Sequence, residues 1–147
     1  MANGAFTCYS ARMCNRVVQK GKIIKPGEKM TVLMKGPGAE FELTFEGAVF
    51  GGPAKSESRN YWLKREQAEP VIVPDVSKFG EKNKATEAQG WEDIPPGSSL
   101  EGLLLPDTVG KNGEHYRLLK MVTRPATPDQ IARLGNDRAP VVVPSKA

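Results

Sequence analysis

A chain of 147 residues, 39% apolar and 26% charged, is long enough to bury about two thirds of its unfolded surface, so one domain needs neither a metal nor a disulfide staple. Its net charge of +4 permits a polyanionic partner without requiring one, because no dense Lys/Arg run is present. Two cysteines, Cys8 and Cys14, and a single histidine, His115, do not form a zinc-type spacing, and no stretch approaches the roughly 18 apolar residues of a membrane span.

Met1 to Arg12 (MANGAFTCYSAR) lacks the apolar centre of a secretory signal and reads as a leader or flexible extension. The cytosol or nucleoid is the expected compartment, where free thiols persist. Met13-Cys14-Asn15-Arg16 follows. As an internal residue, Cys14 would be a small apolar side chain of a buried strand. As a chain terminus it would be a 1,2-aminothiol, whose amine condenses with an aldehyde and whose thiol then closes a thiazolidine ring. An α-amino group titrates near about 8 against about 10.4 for lysine, so an appreciable fraction is nucleophilic at physiological pH.

Cys14 to Gln19 reads as a short strand, and Lys25-Pro26-Gly27-Glu28 as a turn, with Ile23-Ile24 between them. Met30 to Lys35 predicts a strand. Glu40 to Phe45 (EFELTF) alternates and predicts a half-buried antiparallel strand with Phe41, Leu43 and Phe45 inward. The glycines and proline of Gly47 to Pro53 imply a sharp turn or a close backbone approach. Ser56 to Gln67 is the best helix candidate, capped by Ser56 or Ser58. Val71 to Val73 predicts a short strand, and Ser77 to Lys82 a second strand or tight loop. Asn83 to Ser99 reads as a polar surface excursion pinned by Trp91.

Leu100 to Leu105 is apolar, Asp107 to Glu114 a hairpin-like connection, and His115 to Thr123 the return strand. Thr127-Pro128-Asp129 opens a helix to about Leu134, closed by Gly135. Val141 to Val143 predicts a buried final strand, and 145–147 a tail. With 15 glycines and 12 prolines, the pattern is α+β and mainly β: a curved antiparallel sheet or barrel-like core of short strands, with two or three short helices, over residues 13–144.

Several segments in order resemble the SRAP family (SOS-response-associated peptidase domain), whose members crosslink to abasic sites in single-stranded DNA through an N-terminal cysteine. Met13 to Arg16 is similar to its opening Met-Cys-Gly/Asn-Arg, Glu46 to Val49 to its Trp-Gly-Leu-Val, and Pro53 to Ser58 to Asn-Ala-Arg-Ser/Ala-Glu-Thr. Val71 to Glu81 resembles Cys-Leu-Val-Pro-Ala-x-Gly-Phe-Tyr-Glu with one extra residue, and Glu101 to Leu104 resembles Ala-Gly-Leu-Trp. Thr123 to Val143 resembles the closing run, ending in Gly135 to Val143.

The resemblance implies Cys14, Glu81 and Asn136 as catalytic positions and Asn15, Arg16, Lys55 and Arg138 as DNA-binding ones. It implies no cofactor, no metal, and single-stranded DNA as partner; a monomer is expected. Two helper positions depart from the family: Pro53 stands at its asparagine and Asn136 at its histidine. Proline offers no side-chain hydrogen bond, and asparagine carries no proton at neutral pH, so acid-base work would fall to Glu81. Glu46 replaces a tryptophan, Lys55 keeps a charge without the bidentate fork of arginine, and His115 has no role. Tyr61 or Trp62 could stack on bases. Three functions follow: a self-crosslinking abasic-site enzyme that frees Cys14 from its leader, a catalytically degenerate module that holds single-stranded DNA non-covalently, or, with the motif order a coincidence, a small β-rich structural or accessory protein.

Overall fold

The computed structural model describes residues 13–83 and 89–144, with side-chain surroundings for 15–80 and 90–144. The leader expected at 1–12 and the tail at 145–147 lie outside the described residues. In chain order come β1 (Met13–Gln19), β2 (Lys22–Ile24), β3 (Lys29–Lys35), β4 (Phe41–Lys55), a 3-10 turn (Ser56–Ser58), α1 (Arg59–Lys64), β5 (Glu69–Val73), β6 (Val76–Asn83) and β7 (Gln89–Asp93). After them come β8 (Ser98–Leu104), β9 (Thr108–Val109), β10 (His115–Pro125), α2 (Pro128–Leu134), β11 (Arg138–Pro140) and β12 (Val142–Pro144).

Strands β10-β4-β3-β5-β8 are neighbours in that order, and β8 also pairs with β10, so five strands close a barrel. The α+β, mainly-β, barrel-like expectation holds. Every seam is antiparallel except β4 with β10, which runs parallel from Ala48 beside Arg117 to Lys55 beside Thr123. Closing so few strands demands strong curvature. Register shifts in β4 against both β3 and β10 supply bulges, and Gly52 adopts φ +100°, a conformation glycine reaches without a Cβ penalty. The predicted turn at Gly47 to Pro53 is therefore a bend inside one 15-residue strand.

A second sheet, β2-β1-β6-β7, packs against the barrel. One continuous core joins the two: Phe50, Leu100, Leu104, Leu119 and Met121 of the barrel with Val17, Phe79 and Leu134 from β1, β6 and α2. Gln19 fastens the joint. Its side-chain amide donates to the Thr31 and Pro74 carbonyls, both at 2.8 Å, and its Oε1 accepts from the Thr31 N–H at 3.0 Å. A smaller cluster, Ala54, Ala68, Leu103 and Val122, lies under Trp62 and Leu63 of α1.

Four expectations are corrected. The excursion drawn over 83–99 contains a strand, β7, paired with β6 from Lys78 beside Asp93 to Lys82 beside Gln89. Leu43 is 48% exposed rather than inward, because the start of β4 extends beyond the reach of the core. Val142 is 40% exposed, because β12 is an edge strand whose one neighbour is β8. The helix at Ser56 to Gln67 forms only as the 3-10 turn and α1, with no side-chain cap.

Phe50 is fully buried in the barrel. Phe50→Ala is expected to cost about 3–5 kcal/mol and Leu43→Ala under about 0.5 kcal/mol, read as shifts of the urea midpoint at constant m-value.

Candidate functional site

The ladder between β1 and β6 sets Cys14 opposite Lys82, Asn15 opposite Glu81 and Arg16 opposite Gly80. On the far side of β6, Glu81 faces Gly90 and Gly80 faces Trp91 of β7. Positions 14 and 81 therefore sit one residue step apart on neighbouring strands. The nitrogen that would react at Cys14 is a main-chain atom, so its separation from position 81 is governed by the ladder, in which strands lie about 4.8 Å apart.

The third predicted catalytic residue, Asn136, follows α2. Thr127 caps that helix with a reciprocal box: its hydroxyl accepts from the Gln130 N–H at 3.2 Å, and the Thr127 N–H donates to Gln130 Oε1 at 3.0 Å. Pro128 fills the first turn, and Gly135 ends the helix at φ +72°. The helix lies on β7. Glu92 accepts from Arg133 Nε at 2.7 Å and from Gln130 Nε2 at 3.0 Å, and these bonds, with that to Arg133 foremost, hold its carboxyl below the ordinary range.

The last turn of α2 passes directly over Gly90. A Cβ built there would stand 2.5 Å from the Leu134 carbonyl oxygen and closer still to that of Arg133. Only glycine permits this approach. It sets the last turn of α2 against β7, the strand next to the one that carries Glu81. Asn136 follows the cap, and its Oδ1 accepts from the Asp137 N–H at 2.8 Å. Cys14 and Glu81 thus lie on adjacent strands, while Asn136 follows the helix that rests on β7.

The four proposed DNA contacts separate into two groups. Asn15 is 3% exposed, within the fold rather than on its surface. Arg16 is half-buried on β1, and its Nη1 has no hydrogen-bond partner among the described residues. Lys55 and Arg138 meet elsewhere, around Thr123 of β10. Lys55 pairs with Thr123 along the parallel seam and is exposed. Arg138 Nη2 donates to the Thr123 carbonyl at 2.7 Å, its Nε to the Thr123 hydroxyl at 3.3 Å, and its two terminal nitrogens grip Glu57 at 2.7 and 3.0 Å. The guanidinium is already spent on intramolecular partners. Pro53 is exposed on β4, beside Met121.

Glu57 was invisible to sequence reasoning as a partner for Arg138, 81 residues away, because nothing local marks a contact across a barrel seam. Arg138 and, more weakly, the local backbone and Ser56 lower the Glu57 carboxyl from 4.5 to about 2. Lys120 was also missed. Its ammonium donates to the Gly51 carbonyl at 2.9 Å and stands 5.5 Å from the Trp62 ring centroid, and burial lowers its pKa. Trp62 serves the small cluster under α1, whereas Tyr61, edge-on to it, is 49% exposed with its hydroxyl bonded to Glu66 at 3.0 Å. Among the described residues no group of three His, Cys, Asp or Glu side chains could hold a metal, and no helix is long and apolar enough to cross a membrane.

No protein-family model and no curated protein matches the chain. Its fold is similar to a crystal structure of a Bordetella bronchiseptica protein from the Northeast Structural Genomics Consortium, with TM-score 0.54 and 17% identity over 83% of this chain and 71% of that one. At this identity the likeness speaks to the fold alone.

Gly90→Ala is expected to lose about 1–3 kcal/mol, because the obstacle is backbone; amide exchange in α2 should quicken with it. Glu57→Gln removes a carboxyl whose folded pKa is depressed, so the stabilisation it supplies is present above pH 4.5 and lost as pH falls through about 2. The difference in Tm between wild type and Glu57→Gln should be largest near neutrality and vanish towards pH 2.

Proposed function

We propose that the protein captures abasic sites in single-stranded DNA as a covalent thiazolidine formed by Cys14, once hydrolysis of the Met13–Cys14 bond has made that residue a chain terminus. The observation that supports this reading is the β1–β6 ladder, which keeps residue 14 one step from residue 81. The order of motifs from Met13 to Val143 supports it independently.

The opened abasic sugar presents an aldehyde at C1′. The neutral α-amine of Cys14 adds to that carbon, the oxygen takes up a proton, and the carbinolamine loses water to give an imine. The Cys14 thiol then adds across the C=N bond: sulfur bonds to C1′ and nitrogen takes the proton, closing the ring with no oxidant or reductant. Glu81 is assigned the proton transfers of addition and dehydration. Asn136 is assigned hydrogen bonds to the sugar, since an amide donates and accepts but does not titrate there. Arg16 and Lys55 are assigned the phosphate contacts, which are blind to sequence and weaken with salt.

The second reading, a non-covalent single-stranded DNA module, is favoured by Pro53 and Asn136 at two helper positions and by the commitment of Arg138 to Glu57. The two readings part on one gel. Single-stranded DNA with one abasic site is incubated with the full chain, a version beginning at Cys14, and that version with Cys14→Ala. A heat-stable adduct is expected from the Cys14-initiated form and none from Cys14→Ala; Glu81→Gln should slow its formation about 10²-fold or more. No adduct from the Cys14-initiated form overturns the covalent reading. Salt-dependent retention of intact DNA by the same sample then identifies the binding module.

A further inference from the structure

The barrel carries a cavity of about 690 Å³ on its outer wall, and none of the candidate catalytic or DNA-binding residues lines it. Its origin is a weak seam. β3 is paired with β4 along its length, and β5 with β8 over all five residues, but β3 and β5 share a single register pair, Leu33 with Ile72. Beyond that pair the strands part. Pro70 contributes to the parting, because it has no N–H to offer a ladder. The floor of the resulting groove is apolar, made of Leu33, Phe41, Pro70, Ile72 and Val143.

The polar groups at the groove are of one sign. Glu40, Glu42 and Glu101 line it and no lysine or arginine does, on a chain whose net charge is +4. Glu101 is neutralised by Arg59 of α1 through bonds of 2.8 and 3.0 Å. Glu40 and Glu42 have no ion-pair partner among the described residues. Lys35, which does not line the groove, sets its Nζ 5.4 Å from the Phe41 ring centroid, so this ring already takes an ammonium on its face. The chemistry suits a cation on an apolar body and repels a phosphate backbone.

We propose that this groove docks an extended apolar segment of a partner protein bearing lysine or arginine at alternate positions, with its apolar side chains on the Leu33–Ile72 floor and its cations at Glu40 and Glu42. An extended chain is the occupant because the groove follows a parted strand seam, and its volume holds about five residues at roughly 130 Å³ each, within the ordinary range of binding clefts. The site is independent of the Cys14 corner, so its test stands or falls without the abasic-site reading.

The probe is a fluorescent peptide, Leu-Lys-Leu-Arg-Leu, titrated by anisotropy into the full chain, with Leu-Glu-Leu-Glu-Leu and 3-phenylpropylammonium as controls. The expected result is binding of the basic peptide at least tenfold tighter than either control. The charge-reversed double variant Glu40→Lys and Glu42→Lys, exposed and away from the core, should weaken it at least tenfold while leaving the Tm within a degree or two. Equal binding of the acidic peptide, or unchanged affinity in the double variant, overturns the proposal. So does equal affinity for 3-phenylpropylammonium, which would assign the cavity to a small organic cation, or a dimer dispersed by the peptide, which would assign it to a second copy of the chain.

Discussion

The approach of the α2 carbonyls to Gly90 is the contact on which the arrangement of the molecule turns. The helix is strung between β10 of the barrel and β11, which flanks it, yet rests on the other sheet. Where it rests, the Cα of residue 90 has to come nearly into contact with the Arg133 and Leu134 carbonyls. A side chain at that position would lift the last turn of the helix, and with it the loop that leads to Asn136. The Glu92 carboxylate sets the rotation of the helix about its axis by taking bonds from two residues on one face, three apart, which is the spacing at which helical side chains stand together. Steric permission at Gly90 and electrostatic alignment at Glu92 thus fix one corner between the two sheets.

Around that corner the charged groups show two different economies. Arg138 is enclosed by Glu57 and Thr123 and serves the architecture, tying the 3-10 turn to the end of β10. Arg16 is half-buried with a terminal nitrogen that no described residue bonds. Of the two arginines at the motif-matched positions, Arg138 has its donors taken, whereas Arg16 keeps a buried terminal nitrogen that no described residue bonds.

How much of this was legible in the sequence depended on whether the signal was local. Thr127-Pro128 with Gln130 and Gly135 writes both ends of α2 into nine residues, and the structure has that helix with the bounds the motif requires. The barrel class was readable from short strands divided by glycine and proline, but its parallel seam was not, since β4 and β10 are some 69 residues apart and each looks like any half-apolar strand. β7 was missed because Gln-Gly-Trp-Glu-Asp lacks strand alternation; its strand character comes from β6, not from its own side chains. Leu43 and Val142 were expected inside because hydrophobicity was read as burial, and at the end of a long strand and on an edge that rule fails. Within the candidate site, Cys14, Glu81 and Asn136 entered through motif order. The adjacency of positions 14 and 81 rests on register, which no single segment encodes.

The closing role of β10 has a consequence for how the protein is made. That strand is bordered by β4, β8, β9 and β11, and it begins only at His115. During synthesis residues up to Leu104 can pair β3 with β4 and β5 with β8, but the edges of β4 and β8 stay open until β10 has been made. For a cell this is an interval in which exposed strand edges invite pairing with other nascent chains. The barrel resolves it in one late, long-range step, after which those edges no longer exist.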